Sequence, residues 1–211
     1  MKYINIDAFR KTPLITEPFP YLVLPNFIRQ AELSTLINEY PEVPGAGSYP
    51  NDTLSISPTF QALIDEMKST EFRDAVAEKL TMDLANKPTM MTIRGHCRAT
   101  DGKIHRDSDS KIVTFLLYMN PTWEHDSGQL RLLKNDHDLN AIIAEVPPLA
   151  GTLIMFKVTP NSWHGHTSYG GPRRAIQMNY VTSEAIITKE SRRHHLSAFV
   201  KKLKGFFKHG N

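Results

Sequence analysis

From Met90 to Val181 the chain is a succession of short runs rich in Val, Ile, Thr, Phe and Leu, and this restricts its fold more than any other feature. The runs cover 90–98, 111–119, 129–133, 142–146, 152–158, 163–169 and 173–182, with Gly, Pro, Asn and Asp between them. Each run is short, and its β-branched and aromatic side chains suit a pleated, half-buried surface. Many such runs at close spacing pack as a β-sandwich or barrel, here of seven or eight strands.

The residues before Met90 read differently. Residues 19–28, FPYLVLPNFI, are a short strand punctuated by proline. Residues 29–40 place Leu33, Leu36, Ile37 and Tyr40 on one face of a helix that Pro41 and Pro44 stop. Residues 41–57 form a Pro-, Gly- and Ser-rich loop. Residues 59–84 return to helical spacing, with a break near Ser69-Thr70. Helices thus come first and support a β core.

With 211 residues, 40% of them apolar, the chain has material for one domain with a substantial core. Its single cysteine, Cys97, excludes an internal disulfide and a cysteine-built zinc site, and it reads as a small buried residue. The first residues show no apolar segment of a secretory leader, and no run is long enough to span a bilayer; the expectation is a cytoplasmic protein. The overall charge of +3 conceals an asymmetry. The segment from Lys189 onward carries +6, which leaves −3 on the residues before it. The basic balance is therefore no sign of nucleic-acid binding by the body. In that last segment Leu196, Phe199, Val200, Leu203, Phe206 and Phe207 share one helical face, and Lys201, Lys202, Lys204 and Lys208 share the other. Residues 1–188 are read as the domain, and 189–211 as a basic amphipathic helix. That helix would dock on the domain or meet an anionic membrane, a partner protein or a second copy in a homodimer.

Three short stretches carry chemistry. His105 and Asp107 lie two positions apart just before the run 111–119, so an extended backbone offers both side chains to one point. His164, in Ser162-Trp163-His164-Gly165-His166, comes from a distant run. Two histidines and one carboxylate on one face of a metal, with open positions opposite, form the ligand set of non-haem Fe(II) oxygenases. Arg173 opens the run 173–182 and alternates with Arg174. Arg174 shares a face with Ile176, Met178 and Tyr180, the side expected beneath the helices. Arg173 shares a face with Ala175, Gln177 and Asn179, the side expected to line a polar cavity. Arg173 should therefore point into the cavity and Arg174 towards its rim. A buried guanidinium needs an anion, and its planar fork suits a carboxylate such as that of a dicarboxylic acid. Taken singly, each stretch also reads as ordinary packing or a solvated strand end; the joint pattern carries the inference.

The stretches HRD (105–107), LLYMNPTW (116–123), SGQLRLL (127–133), PPLAGTLIMF (147–156), WHGH (163–166) and GPRRAIQMNYV (171–181) resemble, in order and spacing, the 2-oxoglutarate- and Fe(II)-dependent dioxygenases of the prolyl 4-hydroxylase-like group. The resemblance covers most of 17–183. It implies a double-stranded β-helix, or jelly roll, in a mainly β α+β fold with helical support. It implies His105, Asp107 and His164 as iron ligands. Arg173 becomes the partner of the distal carboxylate of 2-oxoglutarate, a carboxylate that Tyr118 also hydrogen-bonds in some relatives; Tyr118 reads equally as a core tyrosine. Ala175 stands where some relatives carry a serine, which removes one co-substrate hydrogen bond. The cofactors implied are Fe(II), 2-oxoglutarate and O2, with ascorbate as a supporting reductant. The reaction implied is hydroxylation of an unactivated C–H of an amino acid, a peptide or protein, or a small metabolite, with release of succinate and CO2. A non-catalytic jelly-roll binding module with a vestigial metal site is the alternative, and a cupin-type metalloenzyme without co-substrate is another.

Other residues read less sharply. His166 is read as substrate-side or structural rather than as a ligand, and Asp109 is badly spaced for ligation. Arg94, His96 and Arg98 alternate along one strand and would meet co-substrate, an anionic substrate or solvent. The loops 41–57, 99–104 and 134–141 are expected to shape the substrate pocket.

Overall fold

The computed structural model describes residues 1–189; the expected basic helix of 189–211 lies outside the described residues, apart from Lys189. Four helices precede or interrupt the first strands: α1 Ile6–Lys11, α2 Gln30–Asn38, α3 Pro58–Lys68 and α4 Thr70–Leu80. The strands are β1 Tyr21–Leu24, β2 Tyr49–Pro50, β3 Thr89–Cys97, β4 Lys111–Tyr118, β5 Leu130–Leu133, β6 Ile142–Val146, β7 Leu153–Lys157, β8 His164–Gly165 and β9 Gly171–Val181. Helix α1 and strand β2 have no counterpart in the expected layout, because each is too short to develop a period.

Among the described residues nine strands form two antiparallel sheets, six-stranded in the order β1-β7-β4-β9-β3-β2 and three-stranded in the order β6-β5-β8. The two sheets face each other as a jelly roll. The helices cover the outer face of the larger sheet. Alternation along the strands divides the core accordingly. Val113, Phe115 and Leu117 of β4, Leu153 and Met155 of β7, and Ile176, Met178 and Tyr180 of β9 pack with the helices. Leu116 and Tyr118 of β4, Ile154 and Phe156 of β7, and Ala175 of β9 pack between the sheets with Leu130, Leu132 and Val146. Strand β4 is thus buried on both sides, which explains its near-continuous apolar run.

The helix junction is fixed by one residue. Ser69 ends α3, and its hydroxyl accepts the Phe72 N–H at 3.2 Å to cap α4. The break therefore falls where the sequence places it. Phe72, fully buried, then meets Phe9 of α1 at 5.1 Å, Phe27 at 5.5 Å and Phe115 of β4 at 5.7 Å between ring centroids. This aromatic cluster ties the helical layer to the sheet. Among the described residues no helix is long and apolar enough to cross a membrane.

Phe72→Ala removes the hub of that cluster. Urea unfolding followed by circular dichroism should register a loss of about 3–5 kcal/mol, the usual cost of deleting a buried phenyl ring.

Candidate active site

His105 lies in the loop between β3 and β4, and His164 opens β8 in the smaller sheet. An isolated antiparallel bridge joins them. The His105 N–H donates to the His164 carbonyl at 3.0 Å, and the His164 N–H donates to the His105 carbonyl at 2.9 Å. This reciprocal pair sets the two imidazoles side by side, with centroids 4.3 Å apart. Asp107, two residues on, completes the group: one donor atom from each of His105, Asp107 and His164 lies within 4.8 Å of the others. Among the described residues this is the one group of three or more His, Cys, Asp or Glu side chains that converges in this way.

The imidazoles are oriented by backbone. Nδ1 of His105 lies 2.8 Å from the Lys103 carbonyl, and Nδ1 of His164 lies 3.0 Å from the Ser162 carbonyl. A carbonyl only accepts, so each Nδ1 carries the proton and each Nε2 keeps a lone pair. Burial, reinforced by His105, pushes the His164 pKa down to about 4, so its ring is neutral at physiological pH. Asp107 is the charged member. Burial works to raise its pKa, but the Lys111 ammonium, His164 and hydrogen bonds from Lys111 and Thr114 outweigh that and hold it below the ordinary value. Lys111 Nζ donates to Asp107 Oδ1 at 2.7 Å, and the Thr114 hydroxyl donates to Oδ2 at 2.5 Å. Asn179 Nδ2 in turn donates to Thr114 Oγ1 at 2.8 Å, so strands β9 and β4 together aim the carboxylate. Two imidazoles and one carboxylate, each steered by a further hydrogen bond, are the donor chemistry a divalent iron site requires.

The cluster lies in the wall of a cavity of about 590 Å³ whose lining includes Arg94, Lys111, His166, Arg173 and Gln177. That volume is within the range of small-molecule sites, roughly 300–1,000 Å³. Arg173, 5% exposed, reaches it from β9. Its Nε donates to the Gly128 carbonyl at 2.9 Å, its Nη2 donates to the Tyr118 hydroxyl at 3.1 Å, and its guanidinium lies 5.2 Å from the centre of the Tyr118 ring. Tyr118 is fully buried, and burial raises its pKa, so it stays a neutral phenol. The alternation read along β9 holds for both arginines, but Arg174 does not reach the cavity rim expected of it. Arg174 is on the helix side, where its guanidinium lies 5.2 Å from the Tyr40 ring centre and its Nη1 donates to the Ile37 carbonyl at 3.2 Å.

His166 lines the cavity without joining the ligand group. Its Nδ1 donates to the Thr167 carbonyl at 2.8 Å, and burial and Arg173 lower its pKa. Gly102, at φ +89°, crosses so close to this ring that a Cβ there would lie 2.4 Å from it. Asp109 pairs with Arg106 on the surface, away from the cluster. Cys97 is half-buried rather than buried, with its sulfur 3.7 Å from His166 Nε2. The polar face expected of Arg94, His96 and Arg98 is interrupted by a register shift between Arg94 and His96. Arg94 lines the cavity, whereas His96 and Arg98 are exposed. Loop 41–57 contributes Ser48 to the lining, and loop 99–104 contributes Thr100 to Lys103; loop 134–141 contributes nothing. Lys111 and Thr114 are not singled out by sequence, and Asn179 is placed there only on the cavity-side face of its strand. Their signal was weak but present: Thr114 and Asn179 are polar residues on the inner faces of otherwise apolar strands.

Residues 93–181 match the family model of the 2OG-Fe(II) oxygenase superfamily. No curated protein matches the chain in sequence. Among solved structures, a prolyl 4-hydroxylase of Pseudomonas putida is similar with TM-score 0.54 and 18% identity, over 84% of this chain and 92% of that one. EvdO2 of Micromonospora carbonacea var. aurantiaca is similar with TM-score 0.55 and 11% identity, over 87% and 94%. The collagen prolyl hydroxylase of Paramecium bursaria Chlorella virus 1, in complex with 2-oxoglutarate, gives TM-score 0.50 and 14% identity, over 77% and 96%. At such identities the likeness is one of fold, and it agrees with the jelly roll seen here. The matched segment spans β3 to β9 and contains the converging His105, Asp107 and His164, so over this segment the chain is similar to the 2OG-Fe(II) oxygenase superfamily.

Proposed function

We propose that this oxygenase hydroxylates a small molecule or peptide, with His105, Asp107 and His164 holding Fe(II) and Arg173 anchoring the distal carboxylate of 2-oxoglutarate. The observation that carries the reading is the convergence of those three donors in the wall of a cavity that also receives a buried arginine. Bound there, Fe(II) with 2-oxoglutarate and O2 supplies the oxidising power for hydroxylation, with succinate and CO2 as by-products.

The chain's own residues have separable tasks. Neutral His164 presents its Nε2 lone pair without losing a proton first, and the Lys103 carbonyl turns His105 so that its Nε2 is the free ring nitrogen. Thr114, held by Asn179, fixes one oxygen of Asp107 and keeps its ligating geometry. Lys111 donates to the other oxygen of Asp107, and its charge helps to keep that carboxylate ionised. Arg173 offers a charged fork, and Tyr118 fixes that fork from behind and excludes water. Gly128 supports it through its carbonyl. The pair Arg173–Tyr118 needs no serine at position 175, because Ala175 is packed between the sheets and does not line the cavity.

Succinate release measured with added Fe(II) and 2-oxoglutarate tests the reading. His105→Ala and Asp107→Ala should each abolish it, and persistence of release in either would refute the ligand assignment. Arg173→Met should raise the 2-oxoglutarate requirement roughly 10- to 100-fold, the loss expected of one charge-assisted contact. Thr114→Val should weaken Mn(II) binding about 10- to 100-fold by calorimetry while the far-ultraviolet circular dichroism stays native.

A further inference from the structure

The cavity contains more positive charge than its assigned contents use. Its lining carries Arg94, Lys103, Lys111 and Arg173 against Asp101 and Asp107. Fe(II) and the 2-oxoglutarate dianion cancel each other, so the loaded site still has a cationic excess. Lys111 is paired with Asp107, and Arg173 is committed to Gly128 and Tyr118. Lys103 is exposed. Arg94 is the cation without an employment. Its Nε donates to the Ser48 hydroxyl at 2.8 Å, and it forms no ion pair among the described residues. Burial and the neighbouring Arg173 both lower its pKa, with Asp101 and the Cys97 thiol opposing. A half-buried guanidinium beside a second one is costly unless an anion joins them.

The place of Arg94 in the sheet separates it from the co-substrate pair. Tyr118 is on β4, and Arg94 is on β3, with β9 between them; Ala175 of β9 is in register with both. Arg173 turns to the β4 side to meet Tyr118, whereas Arg94 turns to the opposite side, where Ser48 adjoins β2. Ser48 belongs to loop 41–57 and also lines the cavity. Arg94 thus links the barrel wall to a loop of the substrate pocket.

We propose that Arg94, braced by Ser48, recognises an acidic group of the molecule that is oxidised, so that the substrates of this enzyme carry a carboxylate or phosphate. The planar fork of Arg94 suits either group. The proposal rests on the oxygenase reading above. It places the acid of the substrate on β3 and that of the co-substrate on β9.

The test is equilibrium binding without turnover, on protein loaded with Ni(II) and 2-oxoglutarate under nitrogen. Matched probes differ only in charge: N-acetyl-aspartate methylamide against N-acetyl-asparagine methylamide, and phosphoserine against serine. Calorimetry should show at least one acidic member bound at least about 10-fold tighter than its neutral partner. Arg94→Met should abolish that preference while weakening 2-oxoglutarate by less than about 3-fold, against the larger loss in Arg173→Met. Arg94→Lys, which keeps the charge without the fork, should retain part of the preference, and retained 2-oxoglutarate binding reports that each variant is folded. The proposal is overturned if neither pair shows an acid preference, if the preference survives Arg94→Met, or if Arg94→Met weakens 2-oxoglutarate as much as Arg173→Met does. Wild-type protein that binds no 2-oxoglutarate would instead sink the oxygenase reading and the proposal with it, whereas 2-oxoglutarate binding without an acid preference sinks the proposal alone.

Discussion

The two backbone hydrogen bonds exchanged by His105 and His164 hold the site together. They are made outside the main ladders, between a loop that leaves β3 and a strand of only two residues, β8. Strand β8 is itself kept in place by its pairing with β5, where Leu132 is in register with His164. The small sheet therefore sets the position of one histidine, the loop sets the other, and the bridge makes their separation a backbone property. Side-chain rotamers need only finish the alignment, which the Lys103 and Ser162 carbonyls do.

A second constraint crosses the larger sheet. Gln177, Asn179 and Thr114 form a polar chain that ends on Asp107, with donor–acceptor distances of 3.3, 2.8 and 2.5 Å. Such a chain in a barrel wall replaces apolar contacts that would stabilise the fold more. It is tolerated because every link is satisfied, and a satisfied buried network specifies one geometry. The same two strands pack Phe115, Met178 and Tyr180 against the helices on their other face. Strand β4 thus carries a ligand-orienting hydroxyl and the core with alternate residues, and a one-residue slip would lose both.

Much of this was legible before any coordinates. Strand boundaries follow most of the β-type runs closely, but the run 163–169 forms only the two-residue strand His164–Gly165. The break between α3 and α4 was visible in Ser69-Thr70 because a serine cap is a local device. Pairing of His105 with Asp107 was visible because residues two apart in extended chain share a side. What escaped was set by long-range contact. The N-terminal segment is tied down by backbone N–H groups of Lys2, Tyr3 and Ile4 donating to Glu66, which no spacing announces. Alternation put Arg174 on the helix face, but the Tyr40 ring and Ile37 carbonyl that hold it there, away from the rim, are distant in sequence. His96 is exposed beyond the register shift that follows Arg94, and that shift has no residue signature here.

The same shift divides β3 between two environments. Before it, Thr92 and Arg94 face the cavity, in register with Gln177 and Ala175. After it, His96 is in register with Pro172 and exposed, and the chain turns away into the loop that returns with His105. Gly102 in that loop accepts the His166 N–H through its carbonyl at 2.9 Å, and its lack of a side chain lets the loop close over the His166 ring. The pairs Arg94–Ala175 and His96–Pro172 set two residues of β9, Arg173 and Arg174, against the single Gly95, so the extra residue belongs to β9. Beyond that irregularity only His96 and Cys97 remain in the ladder, and the chain then leaves the sheet for the loop whose far end bridges His105 to His164.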